Sequence, residues 1–255
     1  NFCNELLITG WSVCKAAKDY GVTPHIMNNR MIKLYTESDA FIYECVVGSL
    51  EPEKIKKDKF ISDYMKNKIP DDQLEVLCYG DGIGSDSQTH AVNGHSVTYF
   101  DFEGPSSEFA KYCINKIKLI DKIKFIYNEL KLEYNNYDVV ICREVLEHLE
   151  NPINTMRNLR GYLKKDGICF LSESFSRVEK KFPTHLSSNL KYVGKTIEIM
   201  VKIGFRYFDR FEDSNLLVFK KVEMNDECRF ETIPQVLLKK RLKKRLKDML
   251  IYYLS

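Results

Sequence analysis

The chain has 255 residues, 44% of them hydrophobic, which is enough for one substantial core with an appendage but would cramp two full domains. Its 39 basic and 36 acidic side chains leave a formal net charge of +3, so no overall field draws the chain to nucleic acid. No apolar run reaches the roughly 18 residues of a membrane span, no signal-peptide pattern opens the sequence, and the 8 cysteines form no C-x-x-C pair. These features predict a cytoplasmic protein with reduced cysteines and no transmembrane segment.

Residues 1–69 are predicted to form a helical cap. Apolar and charged positions recur there at helical spacing, as in 32–35 and 41–43, without the alternation typical of strands. Three tyrosines of this segment either line an acceptor pocket or pack the cap's own core: Tyr20, Tyr35 and Tyr43. Pro70 and two aspartates then mark the start of the next domain.

Residues 70–222 show short apolar runs that alternate with helix-like stretches. This pattern is typical of an α/β fold with a Rossmann-like, doubly wound sheet. The last two runs lie close enough to form an antiparallel hairpin. The seven predicted strands are Glu75–Tyr79, Ser96–Phe100, Ile123–Tyr127, Asp138–Cys142, Gly167–Leu171, Phe205–Phe211 and Leu216–Lys220.

A glycine-rich turn follows the first predicted strand, with glycines at Gly80, Gly82 and Gly84 ahead of a helix. A doubly wound sheet exposes backbone N–H groups to a ligand at this place, and glycine lets the ligand approach closely. Asp101 ends the second strand, where a carboxylate can accept hydrogen bonds from both ribose hydroxyls of a nucleoside. A tight turn with a surface aspartate is the plain structural alternative.

The segment from Tyr137 to Leu149, followed by Asn151-Pro152 and by 163–168, carries the most specific resemblance. In these motifs the chain resembles the class I S-adenosylmethionine (SAM)-dependent methyltransferases over roughly residues 70–221. The resemblance implies that the glycines lie under the methionine and ribose of SAM, that Asp101 holds the ribose, that Asn128 or Glu129 lies near the adenine and that Arg143 lines the pocket. The implied cofactor-binding residues are Gly80, Asp81, Gly82, Gly84, Asp101, Phe102, Asn128, Glu129 and Arg143.

Two positions depart from this family's pattern. The family usually has an acidic residue where this chain has Cys78, and a small residue where this chain has Asp81. Both lie at the methionine end of the implied cofactor site.

An acidic and histidine cluster follows the fourth strand. In a helix beginning near Arg143, the side chains of Glu144, Glu147 and His148 share one face at the carboxyl end of the sheet. Carboxylates with an imidazole suit Mg²⁺ or Mn²⁺, and His185, after the fifth strand, is the candidate fourth ligand. The remaining histidines are predicted as ordinary surface or loop residues: His25, His90 and His95.

The Glu-x-x-Glu-His motif resembles that of metal-dependent oxygen methyltransferases, among them the small-RNA and ubiquinone-biosynthesis enzymes. In the metal interpretation His148 and His185 are ligands. Without metal, Glu144 caps a helix and His148 or His185 acts as the catalytic general base. Both interpretations predict oxygen as the methyl acceptor.

Residues 223–255 are predicted to form a basic amphipathic helix, with leucines at intervals of four between lysines and arginines. RNA, an anionic membrane surface, a partner subunit and plain solvation of the helix are the alternatives for this segment.

The sequence predicts a SAM-dependent O-methyltransferase of a small polar metabolite, such as a sugar or a phosphorylated precursor of a cell-surface polysaccharide. An RNA methyltransferase and a SAM-binding module without turnover are the alternatives, although the near-zero charge disfavours nucleic acid. The acceptor, the metal and the formation of a homodimer stay open.

Overall fold

The computed structural model describes residue 8 and residues 10–223. The predicted C-terminal helix over 223–255 lies outside the described residues, apart from its first position. The α-helices are α1 (Trp11–Asp19), α2 (Asn29–Glu37), α3 (Ala40–Ser49), α4 (Pro52–Lys68), α5 (Ser85–Val92), α6 (Pro105–Lys116), α7 (Pro152–Tyr162) and α8 (Thr196–Lys202).

The predicted seven-stranded sheet is confirmed, and its strand order is β3-β2-β1-β4-β5-β7-β6. Strands β1 to β5 pair in parallel, and β7 lies antiparallel between β5 and β6. The strands are β1 (Glu75–Tyr79), β2 (Ser96–Phe100), β3 (Ile123–Ile126), β4 (Tyr137–Arg143), β5 (Leu163–Ser172), β6 (Phe205–Arg210) and β7 (Leu217–Lys221).

Strand β5 begins earlier than the predicted Gly167. Leu163 already pairs with Tyr137, and the register then shifts so that Ile168 pairs with Val139. The intervening residues form a bulge in which Asp166 has a positive φ of 62°. Asp166 and Gly167, two residue types that are common in turns, therefore lie within the strand.

Alternate side chains of the central strands enter two cores, one on each face of the sheet. In β1, Leu77 and Tyr79 pack into one core, while Val76 and Cys78 pack into the other. Because both faces of a parallel sheet are covered, its strands appear in the sequence as continuous apolar runs.

The four helices of the predicted cap divide between two packing environments. Helix α4 packs on the sheet through Ile61, Tyr64 and Met65, and the Tyr64 ring lies edge-on to Phe170 with centroids 5.4 Å apart. The earlier helices enclose a small separate core that includes Met31 and Leu34. The predicted cap therefore contributes one helix to the layer that covers the sheet.

Strands β2 and β3 are added on one side of β1, and β4 and β5 on the other side. The loops after the neighbouring parallel strands β1 and β4 therefore flank a crevice at the carboxyl ends of these strands. The glycine turn follows β1, and Glu144 to His148 follow β4. All six cysteines in the described part are free thiols, and none of the helices described there is long and apolar enough to cross a membrane.

Candidate active site

The glycine turn after β1 requires glycine for two physical reasons. Gly80, Gly82 and Gly84 have φ values of 73°, 54° and 77°, in the left-handed region that other residues rarely adopt. A Cβ atom on Gly80 would lie 2.5 Å from Cγ2 of Val145, in the loop after β4. The turn thus brings the β1 backbone close to the β4 loop.

Asp101 closes the glycine turn from the end of β2. Its carboxylate accepts hydrogen bonds of 2.6 Å from the backbone N–H groups of Gly82 and Phe102. The Tyr99 hydroxyl donates to the Gly82 carbonyl at 2.7 Å. Burial raises the pKa of Asp101, and the two backbone donors oppose that rise. The predicted ribose-binding carboxylate is therefore held directly beside the predicted cofactor loop.

A cavity of about 570 Å³ opens at this end of the sheet, between the glycine turn, the ends of β4 and β5, and the cap. Five of the predicted site residues line it: Gly80, Asp81, Gly82, Arg143 and Glu144. The other eight predicted site residues are not among its lining residues: Gly84, Asp101, Phe102, Asn128, Glu129, Glu147, His148 and His185. The cavity is thus lined by residues from the methionine end of the predicted cofactor site.

Asn128 and Glu129 have structural partners in the segment after β3. The Asn128 side chain caps a short helical turn by accepting from the Leu130 backbone N–H at 3.0 Å. One oxygen of Glu129 accepts from the hydroxyls of Tyr79 and Tyr162, both at 3.0 Å, and from the Asn158 amide. The Glu129 carboxylate is therefore held by interior donors, and its predicted contact with adenine gains no support from this geometry.

Arg143 forms a buried ion-pair network that the sequence does not reveal. Its side chain, 7% exposed, donates to Asp86 at the start of α5 and to Asp58 of α4, the latter at 2.7 Å. Although burial alone would raise the pKa of Asp86, the charges of Arg143 and Lys54 hold it below the ordinary value. Arg143 lines the cavity, but its guanidinium also joins β4 to two helices.

Asp81 stabilises the start of α5. Its carboxylate oxygens accept from the backbone N–H groups of Asp86 and Ser87, at 3.0 and 2.8 Å. These donors are otherwise unsatisfied at a helix N-terminus. Burial and the neighbouring Asp86 charge raise the pKa of Asp81.

The prediction of a helix beginning near Arg143 was wrong. Glu144 has a φ of 53°, which turns the chain out of the strand, and only a short 3-10 helix follows over Leu146–His148. Glu144 is exposed, and its carboxylate accepts hydrogen bonds from Ser174 and Asn215. It therefore does not share a helix face with Glu147 and His148.

The structure instead brings Glu147, His148 and His185 together, with one candidate ligand atom from each residue within 4.8 Å of the others. The 1% exposed Glu147 has no hydrogen-bond partner for either carboxylate oxygen among the described residues, and the same holds for Nδ1 of His185. Buried polar atoms usually have partners, so these orphaned atoms suit a bound cation or an acceptor group. Burial and the Glu144 charge raise the pKa of Glu147, whereas burial lowers the pKa values of both histidines.

Asn189 holds the turn that carries Glu147 and His148. Its side-chain amide, in a residue only 1% exposed, donates to the carbonyls of Leu146, Glu147 and Leu149. An asparagine so far along the chain gives no sequence signal for this contact.

The cap supplies a further partner to this group. The Tyr35 hydroxyl of α2 lies 2.9 Å from Nδ1 of His148, and the Thr184 carbonyl lies 3.2 Å from the same nitrogen. The sequence left the fate of Tyr35 open. His25, predicted as a surface or loop residue, lies in a loop of the cap and hydrogen-bonds to the His185 carbonyl at 2.9 Å. The same prediction is wrong for His90, which lies within α5 and is only 2% exposed.

Residues 53–210, more than half of the chain, match the model of a family described as a methyltransferase domain. Curated relatives include the ubiquinone biosynthesis O-methyltransferases of Rickettsia felis, 32% identical over 43% of this chain and 45% of that protein, and of Rickettsia bellii, 35% identical over 49% and 50%. The chain thus spans about half the length of these relatives. A crystal structure of the CurJ carbon methyltransferase shares the fold with a TM-score of 0.56 and 14% identity, covering 76% of this chain and 61% of that one.

Proposed function

This chain belongs to the methyltransferase domain family whose model it matches, and from that membership we propose that it transfers the methyl group of SAM to an oxygen of a small acceptor. The glycine turn, the Asp101 carboxylate and the cavity beside them support SAM as the donor. The curated relatives, which are named as O-methyltransferases, support oxygen as the acceptor atom.

The observation that carries the acceptor half of the proposal is the buried carboxylate of Glu147 beside two imidazoles. Burial lowers the pKa of His148, so its ring is neutral near pH 7 and can accept a proton. The acceptor O–H gives its proton to His148 or His185, and the oxygen attacks the methyl carbon opposite the sulfonium sulfur. The carbon–sulfur bond would break as the oxygen–carbon bond forms, its electron pair would remain on sulfur, and S-adenosylhomocysteine would leave.

The same three residues fit a divalent metal ion. Glu147 offers an unpartnered buried carboxylate and His185 an unpartnered Nδ1, and a ligand atom of His148 lies within 4.8 Å of both residues. Glu147, His148 and His185 would hold the ion, while Glu144, whose carboxylate accepts hydrogen bonds from Ser174 and Asn215, lies outside this group of three. Two imidazoles in the set favour Mn²⁺ over the harder Mg²⁺. When bound, such an ion lowers the pKa of the acceptor hydroxyl.

The acceptor that best fits these observations is a hydroxyl group on an aromatic ring rather than the predicted polysaccharide precursor. The names of the relatives point to ubiquinone biosynthesis and give no support to a glycan substrate. Aromatic side chains also surround the histidines: the Phe182 ring stacks on His185 with centroids 4.9 Å apart, and Tyr35 lies edge-on to His148. An RNA acceptor has no comparable support, since the basic segment that motivated it lies outside the described residues.

The experiment is release of S-adenosylhomocysteine from SAM in the presence of catechol or of glucose 6-phosphate, with and without Mn²⁺. We expect turnover with catechol, and a loss of at least tenfold in Glu147→Gln. Turnover with glucose 6-phosphate but not with catechol would overturn the proposal of an aromatic hydroxyl as the acceptor. SAM binding without turnover on any hydroxyl compound would favour the module without turnover.

A further inference from the structure

Helix α2 of the cap contacts both halves of the proposed site. On the cofactor side, a Cβ atom on Gly104 would lie 2.9 Å from the Thr36 carbonyl oxygen, and the Tyr35 ring lies 6.2 Å from that of Phe102. On the acceptor side, the Tyr35 hydroxyl reaches His148. One helical turn therefore connects the loop after β2 with the loop after β4.

The hydrogen bonds of His148 determine which ring nitrogen carries the proton. Nδ1 lies 3.2 Å from the Thr184 carbonyl and 2.9 Å from the Tyr35 hydroxyl. A carbonyl oxygen only accepts hydrogen bonds, so a bare Nδ1 would set two lone pairs against each other. The favoured neutral ring therefore carries its proton on Nδ1 and leaves Nε2 free to accept one.

The hydroxyl of Tyr35 can accept a hydrogen bond from this N–H group, and it lies closer to Nδ1 than the Thr184 carbonyl does. Burial raises the pKa of Tyr35, so the phenol keeps its own proton, although a hydrogen bond donated by the Thr184 side chain opposes that rise. The ring itself is fixed by stacking on Phe41 of α3, with centroids 4.5 Å apart and planes 11° apart. A rigid, neutral phenol is thus held against one nitrogen of a site histidine.

The loop of the cap before α2 also fixes the segment that carries His185. The His25 backbone N–H donates to the Pro183 carbonyl at 2.7 Å, and the Ser187 N–H donates to the His25 carbonyl at 3.1 Å. The cap therefore contacts both histidines of the proposed site.

We propose that Tyr35 is a positioning residue, supplied by the cap, that together with the Thr184 carbonyl holds His148 in the tautomer with Nε2 free for the acceptor proton or a metal ion. This inference rests on the proposed function, because it gives His148 its role there. It identifies the cap as a part of the catalytic site in addition to a cover for it.

The test measures the ring ¹⁵N chemical shifts of His148 at neutral pH in the full chain, with the signals assigned by His148→Asn. In the wild type we expect a protonated Nδ1 and a bare Nε2. In Tyr35→Phe, which keeps the stacked ring and removes the hydroxyl, we expect the two shifts to move toward each other as the tautomers mix. Tyr43→Phe, which changes a more exposed tyrosine of α3, is the control and should leave both shifts unchanged.

A wild type protonated on Nε2, or a Tyr35→Phe spectrum identical to the wild type, would overturn the inference. A general loss of structure would shift the other histidines as well, which separates misfolding from the proposed effect. The readout needs neither SAM nor an acceptor, so a protein that shows these shifts yet binds no SAM would refute the proposed function alone.

Discussion

Gly80 illustrates how one residue determines the geometry of the predicted cofactor loop. Its backbone has a left-handed φ, and any side chain would collide with Val145 across the crevice. Glycine motifs of this kind can be identified in a sequence because the backbone conformation they permit is a local property. The identity of the neighbour, by contrast, comes from the fold.

We predict that Gly80→Ala lowers the free energy of unfolding by about 1–3 kcal/mol more than Gly94→Ala does, because only the former adds a core collision to the strain of a positive φ. Gly94 has a φ of 98°, and no atom in the described part of the chain lies within 4 Å of its added Cβ, which makes it a matched control. Urea denaturation measures both variants. Equal losses of unfolding free energy in the two variants would show that Val145 moves aside for the added methyl group without destabilising the fold.

Glu147 is the second decisive residue, because its carboxylate is buried without a partner among the described residues. Its pKa is raised in the folded state, so folding binds a proton relative to the unfolded chain once the pH exceeds the ordinary glutamate value of about 4.3. The contribution of Glu147 to stability is therefore complete below that pH and is lost as pH rises through the raised pKa.

We expect Glu147→Gln to be more stable than the wild type by at least about 1 kcal/mol at pH 8, and this advantage to shrink as the pH falls toward 4. Urea denaturation of both proteins across this range, without divalent metal, measures the difference. The difference between the two proteins isolates Glu147, since all other carboxylates are common to both. An advantage that grows on acidification would contradict the assigned burial of the charge.

At the scale of secondary-structure elements, the strands were predictable and the loop after β4 was not. Continuous apolar runs identify β1 and β4 because both faces of the sheet are covered. The periodicity of Glu144, Glu147 and His148 suggests a helix, but the left-handed backbone of Glu144 prevents it. Asn189 and Tyr35 stabilise the observed turn from distant parts of the chain, and such contacts leave no local pattern.

The Arg143 network joins three elements, since Asp58 lies in α4, Asp86 begins α5 and Arg143 ends β4. We predict that Arg143→Met lowers the free energy of unfolding by about 3–5 kcal/mol, because among the described residues it leaves the buried Asp86 with only the 3.3 Å contact to Lys54. Urea denaturation checks this value.

The exposed pair of Lys59 and Asp63, also in α4, provides the comparison. Asp63→Asn should cost no more than about 0.5 kcal/mol, because solvent screens this pair. A similar small loss in Arg143→Met would mean that the buried network adds nothing to the packing of α4 and α5.

At the scale of the whole molecule, the strand order places the β1 and β4 loops on either side of one crevice, and the family match over residues 53–210 covers strands β1 to β6 and the helices between them. The sequence predicted this architecture because a doubly wound sheet has few alternatives for its pattern of elements. It could not predict that α4 packs on the sheet while α1 to α3 form a separate small core, since the apolar residues of a helix do not identify the surface on which it packs.

The central claim is that SAM binds in this crevice against the glycine turn. Isothermal titration of SAM into the full chain tests it most directly, with Gly80→Ala and Gly94→Ala alongside. We predict one-to-one binding with a micromolar Kd in the wild type and in Gly94→Ala, and a loss of at least tenfold in affinity for Gly80→Ala. Failure of the folded wild type to bind SAM, or binding by Gly80→Ala as tight as that of the wild type, would contradict the account.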